Sequence, residues 1–216
     1  MDRDTLAPTR FIDADEPSLR DFARETAGTG DDITRAVRLY YALRDLIPYD
    51  MRTFGLDENQ FVASNVLRAN AAFCVPKAIV LAAAARAVGI PSKVGFANVR
   101  NHLSSPRLRA LMDDDVFYWH SYTSLFLDGR WVKATPAFDI GLCTQHGVKP
   151  LEFDGSGDSI FHPFDQDGRP HMEYIDFIGE FADFPYDAFA NEMRARYSRM
   201  LAALEDKRTG AADAQD

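Results

Sequence analysis

The most constraining feature of the sequence is an apolar, helix-forming run over residues 74–91. Between residues 78 and 88 the only charged residue is Arg86, and four consecutive alanines lie in the middle. Pro76 suits the first turn of a helix, where its missing N–H removes no intrahelical hydrogen bond. Gly89 suits a left-handed C-terminal cap, and the Ile-Pro that follows prevents continuation. The run therefore predicts a helix that has almost no polar face and is buried at the centre of the fold.

Cys74 is the first residue of this predicted helix. The free backbone N–H groups and the positive end of the helix dipole at such a position favour a thiolate over a thiol. We therefore interpret Cys74 as a candidate nucleophile with a lowered pKa. The alternative is a small structural residue, because free cysteines are usually buried.

The composition fits one soluble globular domain, and we treat residues 1–216 as that domain. The net charge of −9 argues against nucleic acid as a partner. The N-terminus has no apolar signal region and no run reaches membrane-spanning length, so we expect no membrane partner and a cytoplasmic location. Two cysteines, Cys74 and Cys143, are too few for a disulfide framework, and a reducing compartment keeps Cys74 as a thiol.

Periodic patterns predict a helical first half and a β-rich second half. Helices are predicted over residues 16–27, 31–47, 74–88, 105–112 and 187–204, with a short helical turn capped by Ser64, and strands over residues 93–99, 117–127, 130–134 and 171–178. Irregular segments are predicted as a lead-in over residues 1–14, a long loop over 136–170 and a frayed tail over 209–216.

A histidine lies on the predicted hairpin. The Asp-Gly pair at 128–129 between two strand-like runs is a strong hairpin signal. Pairing across that turn places Ala137 opposite His120, with Thr135 and Asp139 as its diagonal neighbours. The proline between these two residues can end the pairing early, since it cannot donate a ladder hydrogen bond. Taken alone, His120 reads as a structural histidine on a sheet and Asp139 as the first residue of a turn.

Together the three residues predict a chemical site. A thiolate–imidazolium pair oriented by a third polar group is the usual arrangement for nucleophilic attack on a carbonyl. Cys74 would attack, His120 would carry the proton, and Asp139 would orient the imidazole.

The motifs that contain these residues resemble the bacterial transglutaminase-like superfamily, papain-like cysteine enzymes that also include peptide N-glycanases. The cysteine helix ends in the phrase Arg-Ala-Val-Gly-Ile-Pro-Ser-Lys at 86–93. The histidine strand reads Trp-His-Ser-Tyr at 119–122, and the next strand reads Gly-Arg-Trp-Val-Lys-Ala-Thr-Pro at 129–136. A helix ending in Leu-Ile-Pro-Tyr-Asp at 46–50 resembles the family's lead-in. The resemblance covers roughly residues 15–140.

The resemblance implies an α+β, papain/transglutaminase-like fold, with a helical N-terminal part whose buried central helix packs on an antiparallel sheet. It implies a thioester on Cys74, formed from an amide of a peptide or of a glutamine side chain. If water attacks this thioester, the protein is a protease or amidase. If an amine attacks it, the protein is an acyltransferase. The partners implied are a protein or peptide substrate and a small amine acceptor, with no cofactor.

The sequence departs from the family pattern at the third catalytic position. Thr135 stands where the family usually has an aspartate, and Asp139, four residues later, is the best replacement. Asp154 and Asp158 are fallback candidates. The backbone N–H of Cys74 would be one oxyanion donor. Candidates for the second donor or for substrate contacts are Asn65, Asn70, Trp119 and Thr135.

Two other classes of function remain open from the residues. The Cys143-x-x-His146 pair, with His162 and His171 further on, has the ligand types of a zinc site, but no second close pair accompanies it. The acidic run at 154–158 lacks the alternating carboxylates and the closing glutamate of a calcium loop. We therefore predict no metal. The third reading is a catalytically silent protein that keeps the fold and binds a partner, and Thr135 is its best support.

Overall fold

The computed structural model describes residues 3–102, 106–160 and 172–212. Within these ranges the helices and strands follow one another as α1 (Pro17–Ala27), α2 (Asp32–Leu46), α3 (Ala63–Leu67), α4 (Cys74–Ala87), β1 (Ser92–Asn101), α5 (Pro106–Met112), β2 (Val116–Leu127), β3 (Arg130–Ala134), α6 (Ile140–His146), β4 (Met172–Phe181), α7 (Tyr186–Arg196) and α8 (Ser198–Ala212). Short 3-10 turns cover Arg3–Thr5, Met51–Thr53 and Glu58–Phe61.

Helix α4 is the centre of the fold, as its composition predicts. Every residue from Val75 to Arg86 is buried, and the helix contacts α1, α2 and α3 on one side and β1 and β2 on the other. The buried Arg86 is satisfied by backbone carbonyls, because its guanidinium donates to Ala7, Ser92 and Ala182. A helical layer packed on a sheet through this helix confirms the predicted α+β class.

The sheet has the strand order β3-β2-β1-β4, and all neighbours are antiparallel. Leu127 pairs with Arg130 across the Asp-Gly turn, which confirms the predicted register. The β2–β3 ladder ends at the pair Thr123 and Ala134, so it does not extend to His120. The backbone N–H of the next residue, Thr135, donates to Ser159 instead.

Two regions have more helix than the sequence pattern predicts. Helix α6 lies inside the segment 136–170, because Asp139 caps its N-terminus and Gly147 closes it with a left-handed backbone, φ 64°. The C-terminal helical run is divided at Tyr197 into α7 and α8, and α8 extends to Ala212, into the predicted tail. Residues 161–171 and 213–216 of the predicted loop, strand and tail lie outside the described residues.

The first turn of α4 is fixed in place by buried polar contacts. The ammonium group of Lys77 donates to the carbonyls of Arg44 and Ile47 at the end of α2. On the sheet side, Thr123 Oγ1 donates to the carbonyl of Ala78 at 2.8 Å. These contacts hold the N-terminus of α4 between α2 and β2.

None of the described helices is long and apolar enough to cross a membrane.

Candidate active site

Cys74 and His120 line the same cavity. The cavity has a volume of about 410 Å³ and lies beside the N-terminus of α4. Cys74 is partly exposed, whereas His120, on β2, is 6% exposed. The site therefore contains a sulfur and an imidazole in one space that a ligand of moderate size can occupy.

Three backbone N–H groups favour the thiolate form of Cys74. Those of Ser121, Val75 and Cys74 itself act to lower the pKa of the thiol, and Ser121 directly follows His120 in the chain. Burial has the larger effect and raises the pKa of the Cys74 thiol to about 11, although these N–H groups act in the opposite direction. The predicted lowering of this pKa is therefore wrong for the structure as it stands, because desolvation outweighs the helix terminus.

His120 is neutral in this environment. Burial lowers the pKa of the imidazole to about 3, since the charged form loses its hydration. At neutral pH, Cys74 is therefore a thiol and His120 a neutral imidazole. The thiolate–imidazolium pair that the sequence predicts is not the resting state.

The residue before His120 has an unusual backbone conformation. Trp119 has φ 59°, in the left-handed region that a bulky side chain rarely adopts. Its N–H donates to Asn98 Oδ1 at 3.1 Å, and Asn98 Nδ2 donates to Asp176 at 3.0 Å. The β1–β2 register shifts between Ala97 and Val99, opposite this point. The irregularity changes the direction of the chain where it presents His120, as β-bulges next to active sites do.

Asp139 has two well-defined backbone partners. Its Oδ2 accepts the N–H of Tyr49 at 2.8 Å, and its Oδ1 accepts the N–H of Leu142 at 2.9 Å. Burial raises the pKa of the carboxyl group, but these two donors and the charge of Lys77 outweigh it, and the net pKa is lowered. Asp139 is therefore an ionised helix cap beside the cavity, between the lining residues Phe138 and Leu142. Its predicted role as the partner of His120 stays a prediction.

The other predicted donors are spread over the molecule. Trp119 lines the cavity, where its indole packs 5.0 Å from the ring centroid of Phe96. Asn65 and Asn70 are exposed and are not among the described residues that line the cavity. Thr135 is buried, and its hydroxyl has no hydrogen-bond partner among the residues that the structure describes.

The fallback carboxylates are engaged elsewhere. Asp154 accepts the N–H of Ser156 at 2.8 Å, within a surface turn. Asp158 accepts the N–H of Lys133 at 2.8 Å and also pairs with its ammonium group. Neither aspartate is among the cavity-lining residues in the described ranges.

The zinc alternative receives no support from the described part of the chain. Cys143 is buried on α6 and His146 is exposed on the same helix. No group of three or more potential ligands lies together within residues 3–102, 106–160 and 172–212. His162 and His171, the other predicted ligands, lie outside the described residues.

The walls of the cavity are the feature that the sequence did not reveal. All five methionines that the structure describes line it, and so do nine aromatic residues. The methionines are Met51, Met112, Met172, Met193 and Met200. Four lining residues, Phe189, Met193, Tyr197 and Met200, recur at helical spacing within the predicted helix 187–204. Such spacing places them on one apolar face but does not distinguish a cavity wall from core.

Among the comparisons with known proteins, the family model is the informative one. A family model described as "Transglutaminase-like superfamily" matches residues 20–136, which confirms the resemblance in the same stretch. No curated protein matches the sequence. A solved structure described as a "Putative Cysteine Protease from Cytophaga hutchinsonii" is 16% identical, with a TM-score of 0.46, over 80% of this chain and 52% of that one. A "putative protease from Parabacteroides distasonis" is 15% identical, with a TM-score of 0.40, over 58% of this chain and 25% of that one. The chain thus spans about half the length of the first structure and a quarter of the second.

Proposed function

Because the chain belongs to the transglutaminase-like superfamily, we propose that it is a cysteine enzyme that takes the acyl group of an amide or ester as a thioester on Cys74. The observation that carries the proposal is local. Cys74 and His120 line one cavity. A nucleophile and a base that face one space are the two groups that acyl transfer through sulfur requires.

The proposed reaction has two steps. In the first, the Cys74 sulfur forms a bond to the substrate carbonyl carbon while its proton passes to His120. The carbon–nitrogen bond then breaks, and His120 returns the proton to the leaving amine. In the second step, water or an amine loses a proton to His120 as it forms a bond to the thioester carbon. The carbon–sulfur bond then breaks, and His120 returns the proton to the Cys74 sulfur.

The neutral resting state determines when the proton moves. With the thiol pKa near 11 and the imidazole pKa near 3, charge separation before substrate binding is unfavourable. The proton therefore leaves Cys74 as the carbon–sulfur bond forms. The oxyanion that develops would be stabilised by the N–H of Cys74 at the positive end of α4. Trp119 is the one predicted side-chain donor that also lines the cavity.

Acylation of Cys74 by a small activated ester tests the proposal. The protein is incubated with p-nitrophenyl acetate, and the acyl adduct is located by mass spectrometry of the digested protein. We expect an adduct on Cys74 that is absent in Cys74→Ala and formed at least about tenfold more slowly in His120→Asn, since a general base contributes at least that factor. The Cys143→Ala variant is the matched control and should react like the wild type. A Cys74 that reacts equally well without His120 would contradict the proposed pair.

A catalytically silent binding protein is the second candidate, and two observations favour it. Thr135 occupies the position where the family usually has its aspartate, and Asp139 is engaged as a helix cap. The same experiment separates the candidates, because a silent protein forms no adduct on Cys74 with the ester.

A further inference from the structure

We propose that the acyl group delivered to Cys74 is a bulky, uncharged, apolar chain. This inference rests on the proposed function and adds the class of substrate to it. It is carried by the composition of the cavity walls, which are mostly methionine, aromatic and aliphatic side chains; the other lining residues are Cys74, Asn101, His120 and His146. Apolar walls with a few polar groups at one point are typical of sites that bind apolar ligands in a fixed orientation.

No carboxylate, ammonium or guanidinium group belongs to the described residues of the cavity walls. Among the described residues that line the cavity there is no aspartate, glutamate, lysine or arginine. Burying an unpaired charge in such surroundings is costly. An acyl group that carries a carboxylate or an ammonium group would therefore be disfavoured.

Several polar groups of the wall are already used by the protein. The hydroxyl of Tyr197 accepts the N–H of Tyr118 at 2.8 Å and donates to the carbonyl of Val116 at 3.2 Å. The hydroxyl of Tyr118 donates to Asp114 at 2.8 Å. The rings of both tyrosines thus contribute apolar surface to the cavity, while their hydroxyl groups maintain the fold.

The methionines make the wall adaptable. They come from a 3-10 turn, α5, β4, α7 and α8, so they enclose the cavity from several sides. Unbranched thioether side chains can repack around ligands of different shape. We therefore expect selection for apolar character and length rather than for one exact structure.

A series of p-nitrophenyl esters tests the proposal through the acylation rate of Cys74. Acetate, butyrate and octanoate differ only in chain length, and the monoester of octanedioic acid has the length of octanoate with a terminal carboxylate. We expect the second-order rate constant to rise about fourfold for each methylene that is buried, until the cavity is filled. The carboxylate ester should react more than about tenfold more slowly than octanoate, because its charge is unpaired in the cavity.

Substitutions at Met51 test whether the cavity causes the preference. Met51 lies on the cavity wall and is partly exposed, so a change there has a small effect on folding. Met51→Glu should lower the ratio of the octanoate rate constant to the acetate rate constant at least about tenfold. Met51→Leu conserves volume and apolar character and should keep the wild-type ratio.

A binding measurement separates this inference from the proposed function. In the Trp131→Phe variant, Trp119 on the cavity wall is the only tryptophan. Its fluorescence is followed while octanamide, or the monoamide of octanedioic acid, is added to the protein. Preferential binding of octanamide supports the inference even if no ester acylates Cys74, in which case only the proposed function fails. Conversely, acylation by acetate with no gain for octanoate, or equal binding of the two amides, would overturn the inference and leave the proposed function standing.

Discussion

The backbone N–H of Tyr49 donates to Asp139 Oδ2 at 2.8 Å, and this bond joins the chain that follows α2 to the first turn of α6. Both Tyr49 and Leu142, the other donor to Asp139, line the cavity beside Cys74. One carboxylate therefore fixes two parts of the cavity wall that are about ninety residues apart in the sequence. The nearby ammonium group of Lys77 favours the ionised form of that carboxylate.

We predict that Asp139→Ala lowers the free energy of unfolding by about 1–2 kcal/mol, because it removes a helix cap and leaves the Tyr49 N–H without its acceptor. Asp139→Asn should lose less than half as much, since asparagine also caps helices well. Urea unfolding at neutral pH measures both values.

The same pair of variants tests the predicted catalytic role. If Asp139 orients His120, Asp139→Asn slows acylation of Cys74 more than about tenfold while most of the stability remains. Acylation at the wild-type rate in this variant would restrict Asp139 to its function as a cap.

Gly95 is the subject of the second prediction. Gly95 pairs with Tyr122 across β1 and β2, and a Cβ at this position would overlap the ring of Tyr122. Gly95→Ala should therefore lower the free energy of unfolding by about 1–3 kcal/mol, as over-packing does. Gly157→Ala is the control, because a Cβ there meets no atom within 4 Å. A Tyr122→Leu background should reduce the cost of Gly95→Ala, and an unchanged cost would show that the ring is not its cause.

The sequence predicted the elements that depend on local patterns. The alanine-rich run required a buried helix, and the Asp-Gly turn determined the pairing of Leu127 with Arg130. Each of these features depends on residues close together in the chain, so composition and spacing were enough.

The properties of the site depend on distant residues and could not be predicted. The ladder ends at Ala134 because the next N–H bonds to Ser159, twenty-four residues later, so the pairing arithmetic does not reach His120. The direction of the Cys74 pKa shift depends on how much water the surrounding rings exclude. A helix terminus alone predicts the opposite direction. The five methionines that line the cavity come from five separate segments. The sequence pattern of any one segment does not indicate a cavity.

The third prediction concerns the pH dependence of the Cys74 thiol. Because burial raises its pKa to about 11, the reactive thiolate should become appreciable only in the alkaline range. Alkylation by iodoacetamide should rise steadily with pH up to at least about pH 10, with no plateau near neutrality. The measurement uses Cys143→Ala protein, since Cys143 is a second buried thiol with a raised pKa. A plateau below about pH 8 would mean that His120 holds Cys74 as a thiolate.

The fourth prediction concerns stability in acid. Burial lowers the pKa of His120 from 6.5 to about 3, so the unfolded chain binds a proton at moderately acidic pH that the folded chain does not. The contribution of the neutral imidazole to the free energy of unfolding is fully present above pH 6.5 and is lost as the pH falls toward 3. At about pH 4.5, protonation of His120 in the unfolded chain should lower the free energy of unfolding by about 3 kcal/mol relative to neutral pH. His120→Gln should lose correspondingly less stability between the two pH values, measured by urea unfolding. Parallel losses in both proteins would show that the imidazole is not buried in its neutral form.

The fifth prediction concerns the left-handed backbone before His120. Asn98 accepts the N–H of Trp119 and donates to Asp176, and this link holds Trp119 at a φ that costs about 1–3 kcal/mol. Asn98→Ala removes the acceptor and lets this strained residue relax toward an extended conformation, which would change the direction in which the chain presents His120. We expect the free energy of unfolding to fall by about 1 kcal/mol. Acylation of Cys74 should slow more than about tenfold, because proton transfer depends on alignment.

Asp176→Asn is the matched control for Asn98→Ala, because it removes a charge at the same link but leaves the bond between Asn98 and Trp119 in place. It should acylate Cys74 at a rate within about twofold of the wild type, since an exposed polar pair contributes little. If Asn98→Ala loses stability and yet reacts at the wild-type rate, the irregularity at Trp119 stabilises the strand and does not position His120. A loss of rate in Asn98→Ala alone, with folding confirmed by the same urea titration, would identify Asn98 as a positioning residue that acts through the backbone of Trp119.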